Sequence, residues 1–96
     1  MANNNLRSID VSENIRLTEL WLSNNAIFSI DVSANVVLKK LLIQYNELSE
    51  LDVSNNVELV DLMVGVNNIS SIDLTGNNSL VYLFASYNRL LSLIHI

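Results

Sequence analysis

The sequence repeats itself every 21 residues, and this period limits the possible folds more tightly than any other property of the chain. Residues 48–68, LSELDVSNNVELVDLMVGVNN, serve as the reference unit. Aligning Leu6, Ile27, Leu48, Ile69 and Leu90 gives units 6–26, 27–47, 48–68 and 69–89 and a partial unit 90–96, with no gap until the last few residues. Asn3 and Asn4 fall in phase with Asn24 and Asn25, so the array starts part-way through a unit, and neither end carries a recognisable cap. A unit this short cannot bury an apolar face on its own. Stacked against identical neighbours it can, so the 96 residues read as a single repeat domain rather than a globule around one centre.

Each unit has two places where apolar residues alternate. In the first unit these are Ile9/Val11 and Leu20/Leu22; in the second Ile30/Val32 and Leu41/Ile43; in the third Leu51/Val53 and Leu62/Val64; in the fourth Ile72/Leu74 and Leu83/Ala85. A period of two over three to five residues predicts short strands. A helix needs apolar positions every three to four residues over at least ten, and no half-unit has room for one. The chain contains no proline, which suits uninterrupted backbone ladders. After each alternation comes an asparagine, forming one column at Asn14, Asn35, Asn56 and Asn77 and another at Asn25, Asn46, Asn67 and Asn88. A coil that turns inward leaves backbone amides and carbonyls facing the interior. An asparagine amide donates and accepts at once, so these columns are expected to be structural ladders across the turns. The expected architecture is an all-β solenoid with short parallel strands on two faces, asparagine ladders in the turns and little or no helix.

The residues Leu17, Leu20, Leu22, Asn25 and Ile27 fill the pattern LxxLxLxxNxL, as do Leu59, Leu62, Val64, Asn67 and Ile69. The sequence therefore resembles the leucine-rich repeat proteins. It is most similar to the short 21-residue bacterial class called IRREKO, in which a second half-unit, here Leu48, Leu51, Val53 and Asn56, echoes the first. The resemblance covers Leu6 to Leu93 and implies a scaffold that binds other proteins. It also suggests a bacterial secreted or cell-surface location, although the sequence shows no signal peptide. At the end the phase is lost, where Ile94, His95 and Ile96 replace the expected Asp and Val.

Outward positions divide the surface into two faces of different character. On one face stand Asp10, Asp31, Asp52 and Asp73, flanked by Ser12, Ser33, Ser54 and Thr75, nearly unchanged from unit to unit. Carboxylates stacked at a strand spacing of roughly 4.8 Å repel by about 0.9 kcal/mol per neighbouring pair in water, which the hydroxyls can offset. Read as function, this column would take cations or a basic partner. It lacks the glycine-rich turn of calcium-binding repeats, so a solvated face that discourages sheet-to-sheet sticking is the simpler reading. The other face carries Trp21, Leu42, Met63 and Phe84, bordered by Glu19, Lys40, Asp61 and Tyr82 and, nearer the turn, by Tyr45 and Tyr87. These positions differ between units. A variable apolar column on a fixed scaffold, exposing roughly 300 to 400 Å², is where a repeat protein is expected to place recognition.

The sequence offers no chemistry. It has no cysteine, and its single histidine, His95, has no second ligand or nucleophile beside it. Gly65 and Gly76 are isolated, so no phosphate-cradling loop is present. No cofactor, metal site or catalytic residue is expected. Ten acidic against five scattered basic residues give a net charge of −5 and argue against nucleic acid or anionic lipid; no segment is long enough to insert in a membrane. The leading expectation is a non-enzymatic scaffold for protein–protein interaction through the column Trp21, Leu42, Met63 and Phe84. Self-assembly, by end-to-end stacking of uncapped coils into an oligomer or filament, is the alternative, and carbohydrate stacking on the aromatics is a weaker one.

Overall fold

A computed structural model describes residues 4–86, residue 88 and the backbone of residues 92–94. The chain winds in successive coils of one repeat each. Four strands lie side by side on one face: β1 (Glu19–Trp21), β2 (Lys40–Leu42), β3 (Asp61–Met63) and β5 (Tyr82–Phe84), in the order β1-β2-β3-β5 and all parallel. The register keeps the repeat phase, with Leu20 beside Leu41, Leu41 beside Leu62 and Leu62 beside Leu83. The backbone ladder runs past the strands, as in the bond from the Tyr45 amide to the Gly65 carbonyl at 3.0 Å. No helix occurs among the described residues.

The second face has the expected inward–outward alternation but a backbone ladder in one place only. There β4 (Ser71–Asp73) pairs in parallel with β6 (Ser92–Ile94). In the first three units no strand pairing joins the equivalent segments. On this face lies an open groove of about 570 Å³ lined by Ile30, Leu51 and Ile72 with the polar residues between them.

Between the faces each unit turns twice around one asparagine. The Asn56 amide donates to the Val53 carbonyl at 3.0 Å, and the Asn56 carbonyl accepts from Leu59 at 3.2 Å; the same pair recurs around Asn14, Asn35 and Asn77. The core is a set of columns running through the stack. Leu41, Ile43, Leu48, Leu59 and Leu62 are wholly buried, whereas Leu6, Ile9 and Leu17 in the first unit are only partly buried.

The two asparagine columns, alike in sequence, bond differently. In the column that follows the sheet, the Asn67 side chain accepts from the Leu48 amide at 3.0 Å and donates to the carbonyls of Ile43, Val64 and Gly65 at 3.1, 2.9 and 3.2 Å. Asn25, Asn46 and Asn88 likewise accept from Leu6, Ile27 and Ile69. In the other column Asn56 donates to Val32 and Asn35 at 3.0 and 2.9 Å, but its Oδ1, like those of Asn35 and Asn77, is buried without a donor. The Asn14 side chain is exposed; its backbone carbonyl takes the bond from Asn35.

Where the sheet ends, residues 24, 45 and 66 enter the left-handed region, with φ of 59°, 60° and 54°. This swings the chain inward so that the next asparagine enters the core. Asn24 suits that conformation, but Tyr45 and especially β-branched Val66 do not. Val66→Asn is expected to raise stability by about 1 kcal/mol in denaturant-induced unfolding, because the 2.9 Å bond from its amide to Ser86 is retained and the strain is relieved.

Candidate interaction surface

The four-stranded sheet brings the outward residues of one column into a continuous file. Trp21 is paired with Leu42, Leu42 with Met63 and Met63 with Phe84, each an adjacent strand position on the same face. Beside them Glu19, Lys40, Asp61 and Tyr82 form a second file in the same register. Alternation along the strand dictates both, since Leu20 and Leu22 point inward on either side of Trp21.

Exposure along the file is uneven. Trp21 is 53% exposed, whereas Leu42, Met63 and Phe84 are half-buried, so the apolar surface on offer is smaller than four free side chains would present. Phe84 is held down for a specific reason: its ring lies over Gly65, where an added Cβ would collide with the ring. The glycine in the third unit is thus the seat of the phenylalanine in the fourth, and Phe84 packs the sheet as well as facing outward. The exposed aromatic anchors are Trp21, Tyr45 at 52% and Tyr82 at 61%. Tyr87 lies outside the described residues, as does His95.

The polar border is partly self-paired. Trp21 Nε1 donates to Glu19 Oε1 at 3.2 Å, and Lys40 Nζ stands 3.9 Å from Asp61 Oδ2 across one coil step. At 3.9 Å, with Lys40 43% exposed and Asp61 19%, the pair contributes little to stability, on the order of 0 to 1 kcal/mol.

On the opposite face the aspartates bond to their own turns. The backbone amides of Ser12, Ser33, Ser54 and Thr75 each donate at 2.9 Å to Oδ1 of the aspartate two residues before. The hydroxyls donate as well, and this hydroxyl bond is the main reason that all four carboxyls lie below the ordinary carboxylate range; the backbone bond adds to it. Repulsion from neighbouring aspartates acts in the opposite sense at Asp31 and Asp73 and is the smaller effect. A carboxyl whose folded pKa is depressed stabilises the fold above its unfolded value, near 4, and that contribution is lost as pH falls through the folded value. NMR titration of the side-chain carboxyl should place Asp52 below an ordinary aspartate, and Ser54→Ala should move it back up. Among the described residues no three of His, Cys, Asp and Glu come together to hold a metal ion.

One exposed column lies outside the expected surface. Ile15, Val36 and Val57, 59%, 47% and 51% exposed, occupy the same turn position in three successive units. Their 21-residue spacing is visible in the sequence, but they follow the turn asparagine instead of belonging to a strand, so strand alternation says nothing about them. In the fourth unit the position is Asn78, and the column ends there.

No protein-family profile matches the sequence, and no curated protein sequence matches it. Among solved structures, the functional domain of InlJ from Listeria monocytogenes, which includes a cysteine ladder, superposes with a TM-score of 0.86 at 37% sequence identity. The match covers 88% of this chain and 19% of that one, so this chain spans about a fifth of its length. This chain has no cysteine, and the side-chain columns across its turns are asparagine. The fold match and the inward leucine and asparagine columns together give the chain a leucine-rich-repeat-like fold built as an all-β solenoid.

Proposed function

We propose that the chain is a non-enzymatic scaffold that binds another protein through the face of its four-stranded sheet, with Trp21, Tyr45 and Tyr82 as anchors, Leu42 and Met63 between them, and Glu19, Lys40 and Asp61 at the border. The observation that carries this reading is the register that lines up Trp21, Leu42, Met63 and Phe84, with Trp21 more than half exposed. Large aromatics with a polar rim are the usual composition of a protein-binding surface. The leucine-rich repeat fold favours a protein-interaction role, and the leucine-rich repeat neighbour points to a scaffold without catalysis.

The test compares the intact chain with Trp21→Ser and Tyr82→Ser. Both positions are exposed, so circular dichroism and thermal unfolding should change little. Proteins captured by the intact chain are purified and titrated against each variant. A partner that loses at least tenfold in affinity for both variants supports the reading. Partners indifferent to both, but weakened by Asp52→Ala on the other face, overturn it. Phe84 is a poor test position because its ring also packs on Gly65.

A further inference from the structure

The border of this sheet face carries its charges in an order that is complementary to itself when reversed. Along the stack the border file reads Glu19, Lys40, Asp61, Tyr82, and the central file reads Trp21, Leu42, Met63, Phe84. A two-fold axis through the middle of the face and parallel to the strands sets the first coil of one copy against the fourth of the other, and the second against the third. Lys40 then faces Asp61 of the second copy, and Glu19 faces the Tyr82 hydroxyl. In the central file Trp21 faces Phe84, and Leu42 faces Met63. Each lysine lies between two carboxylates, its own at 3.9 Å and that of the second copy.

The other two-fold axis compatible with face-to-face packing, along the stack, gives no such match. It sets each coil against its own copy and crosses the border files, so that Lys40 faces Gln44 and Asp61 faces Gly65. Lys40 then meets only a neutral amide and Asp61 only a glycine, so both charges lose water without gaining a counter-charge from the second copy, which is costly.

We propose that this sheet face is a self-association surface, on which two copies of the chain pack face to face about a two-fold axis parallel to the strands, Lys40 of each set against Asp61 of the other. The inference rests on the sheet face being the contact surface and adds the identity of the partner, a second copy. It differs from end-to-end stacking because it closes at two copies instead of extending a filament. Four coils at about 4.8 Å and a three-residue strand give a central patch on the order of 200 Å², about doubled by the rim that includes Tyr45. A standard interface buries about 800 Å² per partner, so the dimer is weak and forms only at high concentration.

Sedimentation velocity from about 10 μM to about 1 mM, a range that brackets weak association, reads the outcome on the intact chain. The wild type should move from monomer to dimer and go no further. Lys40→Glu alone and Asp61→Lys alone should each weaken association at least tenfold, because like charges then face each other twice. An equimolar mixture of the two variants should associate again. The new carboxylate of one variant faces the new amine of the other, and native Asp61 faces native Lys40. Trp21→Ser, at an exposed position, should weaken association without any change of charge. A wild type that is monomeric at about 1 mM, or a mixture no more associated than its components, overturns the proposal. If the wild type stays monomeric while a captured protein still depends on Trp21, only the self-association fails. If Trp21→Ser alters neither, the contact surface itself is wrong.

Discussion

Asn67→Ala should cost about 3–4 kcal/mol in denaturant-induced unfolding, a large share of the stability of a domain this size. The substitution removes the side chain that accepts from the buried Leu48 amide and strips bonds from the carbonyls of Ile43, Val64 and Gly65. A buried donor left without a partner costs about 1–3 kcal/mol, and the carbonyls, which have further lone pairs and in part other partners, add the remainder. Asn56→Ala provides the control. Its amide makes two donor bonds and its oxygen accepts none, so the loss should be smaller by about 1–2 kcal/mol. Equal losses at the two positions would mean that both columns act merely as space-fillers.

Leu62→Ala should destabilise by about 2–5 kcal/mol, since the side chain is wholly buried with Leu41 and Leu83 in register on either side. Coils above and below are tied to it by backbone ladders and asparagine bonds, which limits how far they can collapse into the space. Leu20→Ala in the first unit should cost less, because that residue is 8% exposed and has a described strand neighbour on one side only. A gradient from the middle coil outward in chemical denaturation would show that stability is shared between neighbouring coils, as expected of a stacked array.

Much of the fold was legible because a 21-residue period fixes what points inward without any knowledge of distance. Leu20, Leu41 and Leu62, and the asparagines of both columns except the exposed Asn14, could be assigned from phase alone. Phase does not report which outward segments pair through their backbones, so a ladder expected on both faces is found on the second, among the described residues, only between Ser71–Asp73 and Ser92–Ile94. Nor does it report local backbone geometry. Asp52 and its counterparts read as a plain outward column, whereas each holds the amide two residues on, a bond that an Asp-x-Ser spacing allows and strand alternation hides. Val66 in a left-handed conformation was invisible for the opposite reason, because a β-branched residue argues against it. On the candidate surface the register was readable but the depth was not. Gly65 and Phe84 lie one coil apart, and only their packing reveals that the ring sits over the glycine.

The asparagine side-chain bonds between coils all point the same way. Asn46 reaches back to Leu22 and Ile27, Asn67 to Ile43 and Leu48, and Asn88 to Val64 and Ile69; Asn35, Asn56 and Asn77 reach back to Val11, Val32 and Val53. Inner carbonyls of these turns, and one inner amide each in the column of Asn46, Asn67 and Asn88, are therefore capped by an asparagine that comes later in the sequence. A chain emerging from a ribosome would expose these groups for the time needed to make about 21 more residues, a few seconds at most at about 5–20 residues per second. Folding would then advance one coil behind synthesis, the newest coil closing the one before it. A stalled or truncated chain would be left with one incomplete coil at its growing end, whatever its length.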